Sequence, residues 1–484
     1  MIKKFIIKIH QILGSLLSLV FIVWFMSGIV MIFAGFPHVS KDKLFEKQAF
    51  LSVKDSIKDF PSERFASAKN IEIKKIGDTA FYLFEDSDKN SIVLNAINLK
   101  IKLCFSQDEV DLLVSDIYGK HEFSSEIIND YDQWIPWKNF SKYFPIKKYY
   151  LEDDKNTVVY ASLKTGDIVQ ETTRKSRWLA RVGAIPHWFY FKFLRLNVKA
   201  WVSTVVWISG LGSIMCFLGI FLGFYRFRRR RHDARRGVLF SSPYKKKWYK
   251  WHHIIGFFFG ITCFTFVFSG MMSLTDLPQW LVKTENKRSF RNEWNSDALS
   301  VSNYKLPVSK FIDSSNFRIK RIRFEHVYNQ AAFFVYSDNY KKPLVYDASS
   351  FKVNRLSFNT DMIYSHIDSL FNMSVISKEV LNKTDDYYGR KEGAIFPVIK
   401  VVFDDYDKTW MYINPKTYKA VYSFNRNKRI RRYLYNGLHS LDFKCLAKHD
   451  TLRRFLLIIL CLGGLILSYS GFVLSKRVFK SWFR

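Results

Sequence analysis

His10, His252, His187 and His439 are the residues of this chain best placed to do chemistry, because an imidazole near neutral pH offers a lone pair to a metal. They form two matched pairs: His10 and His252 stand 242 residues apart, and His187 and His439 stand 252 apart. The first pair opens two apolar runs, and the second lies shortly before two others. Seventeen residues separate His10 from Ser27, so about 26 Å of helix divides the two levels. Ionisable side chains at membrane depth are costly and mark function, although a single imidazole also suits the headgroup region as an interfacial residue. Two symmetric pairs suit b-type haem, whose iron takes two axial nitrogens and whose flat ring fits between helices. The expectation is two haem b groups, with iron held by His10 and His252 and by His187 and His439. Gly14 and Gly256 follow their histidines by four residues on the same helical face, where a missing side chain admits a porphyrin edge or lets helices pack closely. A zinc site wants three or four clustered ligands, and no cysteine or carboxylate neighbours these histidines in sequence. His253 matches Gln11 rather than another histidine, and His38, His121, His232, His326, His366 and His449 have no histidine counterpart, so these are read as structural or surface residues.

The elements that must position the histidines are four apolar runs, roughly Ile12 to Phe36, Val202 to Tyr225, Ile254 to Leu274 and Phe455 to Leu474. Each is long enough to cross about 30 Å of hydrocarbon as a helix. The first follows Lys3, Lys4 and Lys8 as a signal peptide would, but it is too long and lacks a small-x-small cleavage site, so it reads as a retained helix. The connection after the second run reads RFRRRRHDARR and then KKKWYK, and lysines also precede the first run and follow the last. Basic flanks stay in the cytoplasm, which puts both termini and this loop inside and the two long segments outside. A net charge of +32 raises nucleic acid as a partner. The arginine cluster lies between two spanning runs, however, which assigns it to topology and anionic lipid instead. Three of the five cysteines fall in the apolar runs and no CxxC occurs, so no disulfide framework is expected.

An internal repeat organises the whole. His10, Gly14, Ser27 and Gly28 recur as His252, Gly256, Ser269 and Gly270 at an offset of 242. Beyond an insertion of ten residues, His187, Phe191, Lys192, Gly212 and Gly219 recur as His439, Phe443, Lys444, Gly464 and Gly471 at an offset of 252. The fold class is therefore a polytopic α-helical membrane protein with four transmembrane helices in two tandem-repeated pairs, each pair enclosing an extracytoplasmic α+β domain. The divisions are helices at 1–36, 200–225, 253–275 and 455–484, outer domains at 37–199 and 276–454, and a basic cytoplasmic loop at 226–252. Within the outer segments, VVYASL and WMYINP read as strands of antiparallel hairpins, and SQDEVDLLVSDIY and FNTDMIYSHIDSLF as amphipathic helices.

HQILGSLLSLVFIVWFMSG, HHIIGFFFGITCFTFVFSG, IPHWFYF and GLHSLDF resemble the PepSY-associated transmembrane family, which includes bacterial iron-regulated membrane proteins and periplasmic ferric-siderophore reductases. The resemblance implies PepSY-like outer domains, a bacterial inner-membrane location with periplasmic domains, and haem held by the transmembrane histidines. Some relatives carry a fused flavin and nicotinamide module. This chain has no GxGxxG or Walker loop, so the electron donor would be a quinol or a separate cytoplasmic reductase. The function so implied is an oxidoreductase, a haem-containing conduit that reduces a ferric siderophore outside and supports iron uptake. Basic residues such as Arg318, Lys320, Arg321 and Arg323 would attract the anionic chelate. The alternative is a non-enzymatic anchor whose outer domains bind a peptide, an envelope protease or a transporter partner.

Overall fold

The computed structural model describes residues 2–482 apart from 61–64, 66–67, 87–89, 234–241, 281, 286–287, 296–300, 329 and 390–393. The middle of the basic loop, including Arg235 and Arg236, thus lies outside the described residues, as does the His232 side chain. Two compact units emerge, one of Met1–Phe36, Lys175–Lys283 and Asn427–Arg484, the other of Pro37–Arg174 and Thr284–Arg426.

Among the described residues of the first unit, four helices are long and apolar enough to cross a membrane: Ile2–Met31, Val198–Arg226, Lys247–Met272 and Asp450–Lys480. With no aqueous partner for backbone amides in hydrocarbon, a helix is the economical form for such sequences. They share a core of Leu17, Phe21, Phe25, Cys216, Cys263, Phe266, Val267, Leu457 and Cys461. Glycines admit its largest rings. A Cβ at Gly212 would sit 2.8 Å from Phe21, and one at Gly464 would collide with Phe25. Short helices at Ala184–Trp188 and Leu438–Ser440 carry the second histidine pair, and each ends in a left-handed residue, Phe189 (φ 52°) or Leu441 (φ 50°). The turn stops the helix and redirects the chain into the next spanning helix, where Trp201 Nε1 donates to the Trp188 carbonyl at 2.7 Å.

Among the described residues, the second unit holds fifteen strands, β1 to β15 in chain order, in three antiparallel sheets. The largest comprises β1 (Asn70–Ile76), β2 (Thr79–Glu85), β3 (Ser91–Asn95), β4 (Ile101–Lys102), β9 (Arg321–Val327), β10 (Gln330–Tyr336) and β11 (Leu344–Asp347), ordered β11-β10-β9-β1-β2-β3-β4. The others are β5 (Phe123–Ile128), β6 (Ile146–Leu151), β7 (Val158–Ser162) and β8 (Ile168–Thr172), and β12 (Val375–Leu381), β13 (Val398–Phe403), β14 (Trp410–Asn414) and β15 (Lys419–Phe424). Helix Gln107–Tyr118 starts at a capping box of Ser106 and Glu109, and helix Thr360–Phe371 starts at Asn359, whose side chain accepts from the Met362 amide at 2.7 Å.

The expectation of one separate domain per outer segment needs revision on two points. Residues 175–199 and 427–454 belong with the spanning helices rather than with the sheets. The segments are also fused, because β1 pairs with β9 in the register Ile71 to Phe324, Glu72 to Arg323, Ile73 to Ile322 and Lys74 to Arg321. The reason is that β1 and β9 would otherwise be exposed edges, and pairing satisfies both rows of amides. Burial on the shared face then runs continuously through Ile71, Ile73, Tyr82, Ile322, Phe324 and Phe333.

Candidate functional site

The structure brings the four sequence-derived histidines together two by two. His10 and His252, each on a spanning helix, have ring centres 6.4 Å apart with planes inclined by 47°. His187 and His439, on the short helices, have ring centres 6.0 Å apart and an inclination of 63°. An iron gripped by two opposed imidazole nitrogens at about 2 Å each leaves ring centres about 6 Å apart.

In every case Nδ1 is occupied. His10 Nδ1 lies 3.0 Å from the Met215 carbonyl, His187 Nδ1 3.2 Å from that of Trp24, and His439 Nδ1 3.0 Å from that of Phe266. His252 Nδ1 lies 2.8 Å from Ser470 Oγ, whose hydroxyl donates to the Leu467 carbonyl. Ser27 and Ser269 repeat the arrangement, 3.2 Å from His187 and His439 respectively. A carbonyl can only accept, so Nδ1 carries the proton and Nε2 keeps the lone pair. Among the described residues, no hydrogen bond reaches Nε2 of any of the four. Burial first, and then the neighbouring His439, lowers the His187 imidazole to about 4, and burial lowers His439 as well, so both stay neutral near pH 7.

Each ring also rests against a glycine on a neighbouring helix. A Cβ at Gly219 would lie 2.7 Å from His10 Cε1, one at Gly28 3.4 Å from His187 Cε1, and those at Gly471 and Gly270 3.5 Å from His252 Cε1 and His439 Cε1. Gly14 and Gly256, singled out by spacing, line the cavity beside the first pair instead of touching its rings. The glycines beneath the rings were visible as repeated residues, but their contact with histidines on other helices is not a property of local spacing.

A cavity of about 350 Å³ adjoins His10 and His252, lined also by Ser18, Met215, Arg226, Tyr244, Tyr249, His253 and Leu467. A second, of about 590 Å³, adjoins His187 and His439, with Trp24, Trp188, Tyr190, Tyr435 and Arg453 in its wall. Both lie in the usual range for bound organic groups. Ser18 Oγ and Trp24 Nε1 are buried without hydrogen-bond partners among the described residues, so each cavity has an unanswered polar atom in its wall. Among the described residues no three His, Cys, Asp or Glu side chains cluster as metal ligands, and the five cysteines are free thiols.

The family profile described as PepSY-associated TM region matches residues 7–477. The chain belongs to this family. No curated protein matches it. This PepSY-associated membrane protein therefore joins its four apolar helices to β-sheet structure, and its histidine pairs fall wholly within the matched span.

The basic residues assigned to chelate attraction are otherwise engaged. Lys320 is buried and donates to the Phe45 and Glu46 carbonyls at 2.9 and 2.8 Å, and Arg323 pairs with Glu325 at 2.8 Å. Arg318 stacks on Phe50 at 3.7 Å and Arg321 lies 3.7 Å from Glu72. Arg318 and Lys320 precede β9, while Arg321 and Arg323 stand two apart on one face of it, so the four charges meet these partners within the protein.

Proposed function

We propose that this protein holds two haem b groups, one between His10 and His252 and one between His187 and His439, and serves as a transmembrane electron conduit that reduces a ferric chelate outside the cytoplasm. The observation that carries the reading is the repetition at both pairs of one complete arrangement: iron-bridging ring separation, Nδ1 anchored to a carbonyl or serine, free Nε2, and a glycine against the ring. The same repetition supports a duplicated chain whose halves are related by a pseudo-two-fold axis. The β1 to β9 register supports it too, since Phe324 and Arg323 are the counterparts of Glu72 and Ile71 at the 252-residue offset, so each residue faces the other's equivalent.

Haem, when bound, supplies one-electron transfer, and one electron per iron converts a ferric chelate to the ferrous form, which hard oxygen donors hold less strongly. The protein's part is to offer Nε2 of each histidine, fix each ring through Nδ1, leave room at glycine for close approach, and exclude water between the levels. Phe21, Phe25 and Phe266 lie in that intervening layer, with Phe25 centred 6.4 Å from both other rings taken in turn. The basic loop and basic termini support an orientation with His10 and His252 toward the cytoplasmic donor and His187 and His439 toward the periplasm of a bacterial inner membrane.

The test is the visible spectrum of full-length protein purified from haem-replete cells. A Soret band with the sharp bands of bis-imidazole haem on reduction is expected, together with reoxidation by a membrane-impermeant ferric chelate. Protein without a Soret band would remove the reading.

A further inference from the structure

The cavity beside His10 and His252 has two unlike walls. Ile7, Gln11 and Val478 line one part of it, and at the matching positions of the other half stand Tyr249, His253 and Arg226. Tyr244 joins the second group, its ring 5.6 Å from that of His253 and 5.8 Å from the Arg226 guanidinium carbon. One wall is thus rich in cationic and hydroxyl donors where its counterpart is apolar apart from one amide.

Among the described residues, two of these groups, His253 and Arg226, lack an acceptor. Neither ring nitrogen of His253 has a hydrogen-bond partner among the described residues, although the Gly223 carbonyl lies near. Among the described residues no Asp or Glu lines the cavity and Arg226 has no carboxylate partner. A charged group at the end of a membrane span is retained where it meets an opposite charge, and a guanidinium fork matches a carboxylate through paired hydrogen bonds.

We propose that Arg226 and His253, with Tyr244 beside them, form a carboxylate clamp that receives the acidic edge of haem at the His10–His252 site and so admits the group in one orientation. The clamp rests on the haem reading above and deepens it. Haem carries its two carboxylates on one edge of the ring, so a site with one cationic wall distinguishes that edge from the apolar ones. The second site lacks such a wall in the same form, since Arg453 in its lining already pairs with Asp450 at 2.5 Å.

The clamp is tested by titrating haem, and haem dimethyl ester with its carboxylates blocked, into detergent-solubilised full chain carrying His439→Ala, or equally His187→Ala, which isolates the first site. The Soret band reports binding. The parent should prefer the free acid by about ten-fold or more, as expected for charge-assisted hydrogen bonds, and Arg226→Gln with His253→Asn should bring the two affinities together. Val478→Ala, on the opposite wall, should keep the preference. Equal weakening of both ligands would mean a structural role and would overturn the clamp, as would binding without preference in the parent. A preference abolished by phosphatidylglycerol in the micelles would assign the wall to lipid phosphate instead. Failure of the parent to bind either ligand would sink the haem reading itself, and the clamp with it.

Discussion

The two histidine pairs share one ring geometry in different supports. His10 and His252 stand on continuous spanning helices, beside a cavity of about 350 Å³, and His10 presses closely on Gly219. His187 and His439 stand on helices of five and three residues that end in left-handed turns, beside a cavity of about 590 Å³ rimmed by Trp24, Tyr190 and Tyr435. A long helix fixes its side chains through hydrogen bonds on both sides, while a short one depends on the groups packed around it. The first site is therefore the tighter and the second the more accommodating, which suits a buried relay and an exchange site with outside reactants respectively.

The largest expected effect separates the sites completely. His252→Ala should remove the bis-imidazole signal of one haem and leave the other, and His439→Ala should do the reverse, each losing about half of the haem per protein in a pyridine haemochrome assay. Loss of both signals from either single substitution would mean that the sites are not independent.

A smaller effect sharpens the contrast in tightness. Gly219→Ala places a methyl group 2.7 Å from His10 and Gly28→Ala places one 3.4 Å from His187. Overpacking of this kind costs about 1–3 kcal/mol, so haem occupancy at the first site should fall markedly in Gly219→Ala and only slightly at the second in Gly28→Ala. Equal occupancy in the two variants, measured on matched preparations, would break the comparison.

Serine substitutions come next. Ser470→Ala removes the 2.8 Å partner of His252, whereas Ser27→Ala leaves His187 with the Trp24 carbonyl at 3.2 Å. Loss of such supporting partners weakens metal binding by about 10–100-fold, so haem dissociation to an acceptor globin should quicken for Ser470→Ala and change little for Ser27→Ala.

The smallest effect is a pH dependence of the apo protein. Folded His187 takes its proton near pH 4, and an unfolded histidine near pH 6.5. Between those values the unfolded chain binds more protons, so stability from this group is intact above pH 6.5 and declines as pH falls toward 4. His187→Gln should flatten that part of the profile in thermal melts at several pH values, and an unchanged slope would show that the imidazole is not held neutral by burial.

Much of this was legible in the sequence because it depends on near neighbours. Apolar runs long enough to span a membrane, the alternation in VVYASL and WMYINP, the helical spacing in SQDEVDLLVSDIY and FNTDMIYSHIDSLF, and the recurrence of histidine and glycine at constant offsets are all properties of the chain before it folds. The four ligand candidates followed from that recurrence. The contacts that make them a site did not, because they join residues as far apart as His10 and Met215, or His252 and Ser470, and such pairs are chosen by helix packing. Packing likewise joined β1 to β9, engaged the charges of β9 within the protein, and gathered Arg226, Tyr244 and His253 on one cavity wall. Periodicity specifies which face of an element is apolar, but the partner that covers that face, and the polar groups that meet beside it, are decided only when all the faces are buried together.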